Sequence, residues 1–272
     1  MKTTEQKRAA FRALHAQGCF ALPNPWDVGS ARMLQHLGFE ALASTSAGFA
    51  WTAGRPDYKV SRAAALAHLA LLCGAVDLPV NADFESGFAA TPEGVAESVR
   101  LAIEAGVAGL SIEDRDLERG GLYDTPAAIE RLQAARAAIA ASAADVILVA
   151  RTEILLDDPS AVQRAIDSLV AFAEAGADCL YAPGVRQRAD IEAMARAVAP
   201  KPLNVLAIDP TMTLAELAGL GVRRISVGGS LARVGWAATV AAAKEIRDGS
   251  FASLAKGMPS KELNGVFAVF PE

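Results

Sequence analysis

The sequence is short of the residues that carry soft-metal and disulfide chemistry. Its 272 residues include only three cysteines and three histidines. Cys19, Cys73 and Cys179 lie far apart, with no metal-ligand spacing, which argues against both a zinc site and a disulfide framework. His15, His36 and His68 all fall in helix-like segments. Free buried thiols suit a reducing compartment, so the expected location is cytoplasmic. Long apolar runs are also missing: none reaches the roughly 18 residues that a membrane span needs. Met1 to Ala10 is polar and lacks the apolar core of a signal peptide. Positive charge is not in excess either. Lys and Arg number 26 against 31 Asp and Glu, a net charge of −5, which leaves no basic footprint for nucleic acid. The expected partners are therefore neither nucleic acid nor membrane.

What is abundant is apolar sequence, 52% of the chain, much of it alanine suited to closely packed helices. Short apolar runs alternate with helical segments throughout. The runs fall at 19–22, 40–44, 79–82, 109–112, 146–150, 179–181, 203–206 and 224–227. Each is followed by a helix with start and stop signals, such as Thr91-Pro92 at one start and Gly106 after its end. Short, wholly apolar strands are buried on both faces, as in parallel sheets. Eight βα units in about 250 residues predict a closed (β/α)8 TIM barrel. An open dinucleotide-binding sheet is disfavoured because no G-x-G-x-x-G follows the first strand. No linker divides the chain, so residues 1–272 are expected to form a single domain. It would include a C-terminal helical extension at 248–272, anchored by Phe251, Leu254, Leu263, Phe267 and Phe270.

Catalytic groups of such barrels sit at the C-terminal ends of the strands. Strand two ends in Thr45-Ser46-Ala47-Gly48, with Asp57 further along its loop. Strand three delivers Asp83 and Glu85, strand four Glu113 and Asp114, and strand five Arg151 and Glu153. Strand seven offers Asn204, and strand eight Gly228-Gly229. Taken singly, each has a structural alternative, and Gly228-Gly229 reads best as a tight turn. Together, the carboxylates would repel one another at one mouth unless a cation offsets them. Oxygen ligands without His or Cys suit Mg2+, with Mn2+ as the substitute. Arg151 supplies a planar fork for a carboxylate or a developing enolate. The Thr45–Gly48 backbone could cradle a carboxylate.

Three ordered motifs resemble the isocitrate lyase/phosphoenolpyruvate mutase superfamily. They are Asp83-Phe84-Glu85-Ser86-Gly87 (similar to D-x-D-T-G), Ser111-Ile112-Glu113-Asp114, and Val149-Ala150-Arg151-Thr152. Weaker matches are Thr45–Gly48, Gly54-Arg55-Pro56-Asp57 and Pro23-Asn24-Pro25-Trp26-Asp27. The resemblance implies a barrel whose last helix is exchanged between subunits, usually in a tetramer, so a homo-oligomer (dimer or tetramer) is expected. It implies Mg2+ held by residues matching Asp57, Asp83, Glu85 and Glu113. It also implies a 2-oxo acid or dicarboxylate bound by Arg151 and the backbone of Thr45, Ser46 and Ala47.

The departures bear on the reaction. The loop after strand four, Asp114 to Tyr123, has neither Cys nor His, where the lyases carry K-K/R-C-G-H. Strand six ends in Ala182-Pro183-Gly184 rather than a glutamate, and the mutase's gating-loop lysine and asparagine are not evident. The expectation is a Mg2+-dependent C–C lyase or hydrolase working through an enolate, on an oxaloacetate- or 2-methylisocitrate-like substrate. Arg151, Asp57 and Glu113 would be catalytic. Thr45, Ser46, Ala47, Asp83, Arg151 and Asn204 would bind substrate. Asp83, Glu85 and Glu113 would hold the metal. Tyr123, Arg119 or water would return the proton. The alternatives are a 2-oxo-acid-binding protein without turnover and a phosphate-binding isomerase using Gly228-Gly229; phosphonopyruvate-type P–C chemistry ranks below the lyase reading.

Overall fold

A computed structural model describes residues 2–270. The chain opens with α1 (Thr4–Ala16), β1 (Phe20–Leu22), α2 (Val28–His36), β2 (Leu42–Ala43), α3 (Ser46–Thr52) and α4 (Arg62–Ala75). Then follow β3 (Val80–Asp83), α5 (Pro92–Glu104), β4 (Gly109–Glu113), α6 (Thr125–Ala141), β5 (Ile147–Arg151), α7 (Ile154–Asp157) and α8 (Val162–Glu174). The remainder is β6 (Cys179–Tyr181), α9 (Arg188–Val198), β7 (Leu203–Leu206), α10 (Leu214–Gly219), β8 (Arg224–Ser226), α11 (Ser230–Arg247), a 3-10 turn (Ala252–Lys256) and α12 (Ser260–Phe267).

Local chemistry explains most of the starts. Thr3 and Gln6, and Thr213 and Glu216, form reciprocal capping boxes, while Ser61 and Thr91 cap α4 and α5. Two starts differ from expectation. Asp124, not Thr125, caps α6, accepting from Ala127 N–H at 2.9 Å. Asp158-Pro159 does not open a helix: a single turn, α7, precedes it, and α8 begins at Val162. The Asp158 side chain instead accepts from Ser160 N–H and Oγ.

All eight strands run parallel in the order β1-β8-β7-β6-β5-β4-β3-β2. This is the predicted (β/α)8 barrel. The β1–β2 seam has no ladder but is bridged, with Ala43 N–H donating to Pro23 C=O at 3.1 Å. Asn24 reinforces it. Its Nδ2 donates to Ser44 C=O, and its Oδ1 accepts from the N–H groups of Val227 and Gly228. Gly228-Gly229 form a turn, as expected for that pair, and the Gly228 N–H is taken up by Asn24.

Strand alternation sorts the core into two parts. One face of each strand, including Leu42, Val80, Leu110, Leu148, Leu180 and Ile225, packs outward against the helices. The other face, including Leu22, Ala43, Ile147, Val149, Cys179 and Tyr181, fills the barrel. Phe11 of α1 plugs the lower end, fully buried. Gly109 leaves room for it, since a Cβ there would come within 2.7 Å of both the Phe11 ring and Asn81 Oδ1.

The last barrel helix is different. In α11 only Ala232 is buried, and Val234, Trp236, Val240 and Ile246 are exposed. Of the tail, Val266 is buried, and the Phe270 ring lies 5.1 Å from the Arg32 guanidinium, whereas Phe251 and Leu254 are exposed. No helix among the described residues is long and apolar enough to cross a membrane.

Asp178 ties the frame together below the site. It accepts from Leu148 N–H at 2.8 Å, from Arg12 at 3.1 Å and from Arg136. Burial alone would raise its pKa, but the Leu148 N–H and the two guanidinium groups outweigh burial and lower it. The stability it contributes is therefore full above the ordinary aspartate value of about 3.9 and is lost as pH falls through the lower folded value. Asp178→Ala is expected to cost about 3 kcal/mol at pH 7 in urea unfolding. The gap from wild type should stay level from pH 7 to 5 and narrow below about pH 3.9. A gap that is flat across the acid range would exclude this role.

Candidate active site

The upper end of the barrel gathers the charged strand ends. Asp83 is the last residue of β3, Glu113 of β4 and Arg151 of β5. In the register Glu113 stands beside Arg151, and Asp83 beside Ser111. All three side chains meet. Arg151 Nη1 lies 3.1 Å from Asp83 Oδ1 and 3.3 Å from Glu113 Oε2. Behind it, Arg151 Nε donates to Glu153 Oε1, and the guanidinium carbon sits 5.3 Å from the centre of the Tyr181 ring. Glu153 therefore fixes the arginine from one side and leaves the Nη edge to the site. Burial disfavours the Arg151 charge, but Glu113, Glu153 and Asp83 overcome that and hold its pKa well above the ordinary value.

The neighbouring acids are compensated only in part. Burial, then the charges of Asp83, Glu113 and Asp57, push the Glu85 carboxyl up to about 8. Glu113 is raised too, by burial first; Arg151 offsets part of this, and Glu153 and Asp83 add to it. Asp57 is raised by burial and by Asp83. Burial first, and mutual repulsion second, thus leave these acids harder to ionise than Arg151 can offset. Asp114 has a different part. It is buried and accepts from Thr152 Oγ1 at 2.6 Å and Glu153 N–H at 2.8 Å, so it brackets β4 to β5. Burial leads in raising its carboxyl to about 6.

The expected carboxylate cradle takes another form. Residues 46–52 are a helix, not a loop. Thr45 is its N-cap, its Oγ1 accepting from Gly48 N–H at 3.1 Å. Ser46 N–H and Oγ both donate to Asp83 Oδ2 at 2.9 Å, so Asp83 itself occupies part of the cradle. Ser46 is the residue of this segment that contacts the site, pinned to Asp83. Asn204 sits elsewhere. It is buried in the barrel interior, accepting from Arg224 Nε at 2.9 Å and donating to Ser226 Oγ at 3.0 Å. Arg224 also reaches Asn81, two residues before Asp83 on the same face of β3.

One contributor, Tyr58, escaped the sequence reading, and a second, Glu153, is a candidate there without the role it has in the structure. Tyr58, next to Asp57, has a left-handed backbone (φ 60°) and sets its phenol beside Glu113, Glu153 and Arg151. Burial, then Glu113 and Glu153, raise its pKa. Glu153 had been noted only as a strand-end acid. Its spacing of two from Arg151 was the available signal, although β5 ends at Arg151. Tyr123 and Arg119, expected as proton donors, line a separate cavity of about 310 Å³ with Arg131 and Asp116.

The donor chemistry fits a hard divalent cation. Glu113 Oε1 and Glu153 Oε2 are buried without a hydrogen-bond partner. Among the described residues, no three His, Cys, Asp or Glu side chains converge tightly enough to enclose an ion alone. The fit is therefore to a cation held by one or two carboxylates with waters and substrate oxygens, the usual manner of Mg2+.

Known proteins agree with this architecture. Residues 11–247 match the family described as phosphoenolpyruvate phosphomutase. An uncharacterized protein of Mycobacterium tuberculosis (strain ATCC 25618 / H37Rv) is 32% identical over 261 residues, 93% of this chain and 94% of its own. An oxaloacetate decarboxylase of Paraburkholderia xenovorans (strain LB400) is 30% identical over 270 residues, 96% of this chain and 88% of its own. A crystal structure from Burkholderia cenocepacia J2315, provisionally described as a lyase/mutase, superposes with a TM-score of 0.94 at 45% identity, over 98% of both chains. Oxaloacetate acetylhydrolase in complex with the product oxalate superposes with a TM-score of 0.86 at 26% identity, over 98% of this chain and 94% of its own. Since the family match spans most of the chain and the barrel agrees with it, this chain belongs to the phosphoenolpyruvate phosphomutase family, within the isocitrate lyase/phosphoenolpyruvate mutase superfamily.

Proposed function

We propose that this protein is a Mg2+-dependent enzyme that cleaves a C–C bond of a small 2-oxo acid of the oxaloacetate type. The observation that carries the reading is Arg151, half-buried between Asp83 and Glu113 and braced by Glu153. Similarity to an oxaloacetate decarboxylase and to oxaloacetate acetylhydrolase supports the substrate class. The cation, held by one or two of the carboxylates Asp83, Glu85 and Glu113 and otherwise by water, would act as a Lewis acid toward the oxo-acid oxygens.

This chain's residues supply the rest. The Arg151 Nη edge faces the carbonyl side and stabilises negative charge as it develops on the 2-oxo oxygen. The backbone of Thr45, Ser46 and Ala47 holds the C1 carboxylate. For an oxaloacetate-type substrate the C3–C4 bond breaks, the C4 carboxylate leaves as CO2, and the bonding pair moves into the enolate. A proton then returns to C3. No base is needed for the cleavage, which suits a strand-four loop without Cys or His. Asp57 orients the water that returns the proton. Asn204, through Arg224 and Ser226, forms the floor beneath.

A homo-oligomer is part of the same reading. Trp236, Val234 and Val240 of α11 and Trp51 line an open groove of about 1030 Å³. We assign this face, and α11 with it, to contact with a second copy of the chain. The cytoplasm fits three free thiols.

Three outcomes check these statements. Arg151→Ala is expected to lower kcat/KM for oxaloacetate by about 10²–10³, measured by NMR of pyruvate formation. Binding of oxaloacetate without turnover by the wild-type protein would favour the binding-protein reading instead. Mg2+ at about 100 times its Kd should stabilise the chelator-stripped protein by about 2.7 kcal/mol, read as a rise in melting temperature that Glu113→Gln reduces. Sedimentation equilibrium should give a multiple of the 28.2 kDa chain mass, and Trp236→Glu should shift it toward the monomer.

A further inference from the structure

We propose that Arg131, which lies outside the catalytic layer, is a positioning residue that fixes the Glu85 wall of the metal site and couples it to the strand-four loop through Tyr123. The inference rests on the reading of Asp83, Glu85 and Glu113 as the metal wall.

Arg131, on α6, is 2% exposed. Its Nη1 donates to Ala90 C=O at 2.9 Å, and its Nη2 donates to Ser86 C=O at 2.5 Å and Ala89 C=O at 2.7 Å. The guanidinium carbon lies 4.3 Å from the centre of the Tyr123 ring. Arg131 forms no salt bridge among the described residues, and its buried Nε has no partner. A cation in such a place is costly, and an apolar side chain would fill the same volume at less cost. Its retention therefore calls for something that only a multiple donor can do.

The segment it grips has that need. Glu85, Gly87 and Phe88 all have left-handed backbone, with φ of 48°, 84° and 53°. Two of these three residues carry side chains that disfavour it, and such strain persists only where the surroundings impose it. Three carbonyls drawn onto one planar guanidinium impose it here. The consequence reaches the site directly, because Glu85 C=O accepts from Glu113 N–H at 3.0 Å. The far side of Arg131 meets the strand-four loop, where Tyr123 N–H donates to Asp114 C=O at 2.8 Å. One side chain thus touches the two loops that carry Glu85 on one side and follow Glu113 on the other.

Mn2+ binding to the full-length protein, followed by the electron paramagnetic resonance of the free ion, tests this without turnover. Arg131→Lys and Arg131→Met are expected to weaken Mn2+ about 10- to 100-fold, the range for groups that orient metal ligands. Tyr123→Leu should weaken it about two- to fivefold, and Tyr123→Phe, which keeps the ring, should match wild type. A merely structural role predicts lower melting temperatures with unchanged Mn2+ affinity, and that result would overturn the proposal. If the Arg131 variants do not fold, wild-type affinity in Tyr123→Leu overturns it alone. Failure of the wild type to bind Mn2+ removes the metal reading itself and this inference with it, whereas tight binding by wild type and variants alike removes only the inference.

Discussion

A half-buried guanidinium among carboxylates governs the rest of this molecule. Arg151 holds Asp83, Glu113 and Glu153 within reach of one planar group. Remove the arginine, and three carboxylates would face each other in a poorly solvated mouth. Remove the carboxylates, and the arginine would be an unpaired, poorly solvated charge. Each side makes the other tolerable, and that mutual dependence fixes where β3, β4 and β5 end relative to one another. It also leaves an excess. Glu85 and Glu113 remain hard to ionise, so the mouth favours a further cation or protons.

The scaffold answers that demand with polar brackets rather than with more charge. Asp114 turns away from the mouth to hold Thr152 and the Glu153 backbone. Ser46 gives both its N–H and its hydroxyl to Asp83. Beneath, Arg224 joins Asn204 and Asn81 across the barrel. Asn24 stitches the ends of β1, β2 and β8 where no ladder closes the seam. The site is thus built on hydrogen bonds between neighbouring strand ends, which is why one-residue differences in strand length would dislocate it. Arg131 and Tyr123 extend the same principle into the loops.

Helix α11 is under the opposite constraint. Among the described residues it buries only Ala232 fully and leaves Val234, Trp236, Val240 and Ile246 exposed, although the earlier barrel helices turn apolar faces to the core. Exposed Trp236 and Val234 beside Trp51 make an apolar groove larger than single scattered side chains would leave. The proposed second copy follows from that asymmetry.

Much of this was legible without coordinates. Periodic apolar runs and helix punctuation set eight βα units, because strands buried on both faces and capped helices leave unmistakable local patterns. The rule that barrel chemistry sits at strand C-termini then put Asp83, Glu113 and Arg151 among a longer set of candidates, and these three do meet. Local sequence also determined that Gly228-Gly229 is a turn. Tertiary structure decided what depends on direction and on distant neighbours. Adjacent Glu113 and Asp114 point to opposite sides of the strand end, so one enters the mouth and the other braces it. Asn204 lies in the barrel interior, where Arg224 and Ser226 engage its side chain, a relation that no spacing in β7 encodes. Tyr58 and Arg131 reach their places only because loops fold back over residues far away in the chain. Sequence settles which elements form, since that is local; which side chain faces which is a property of the packed barrel.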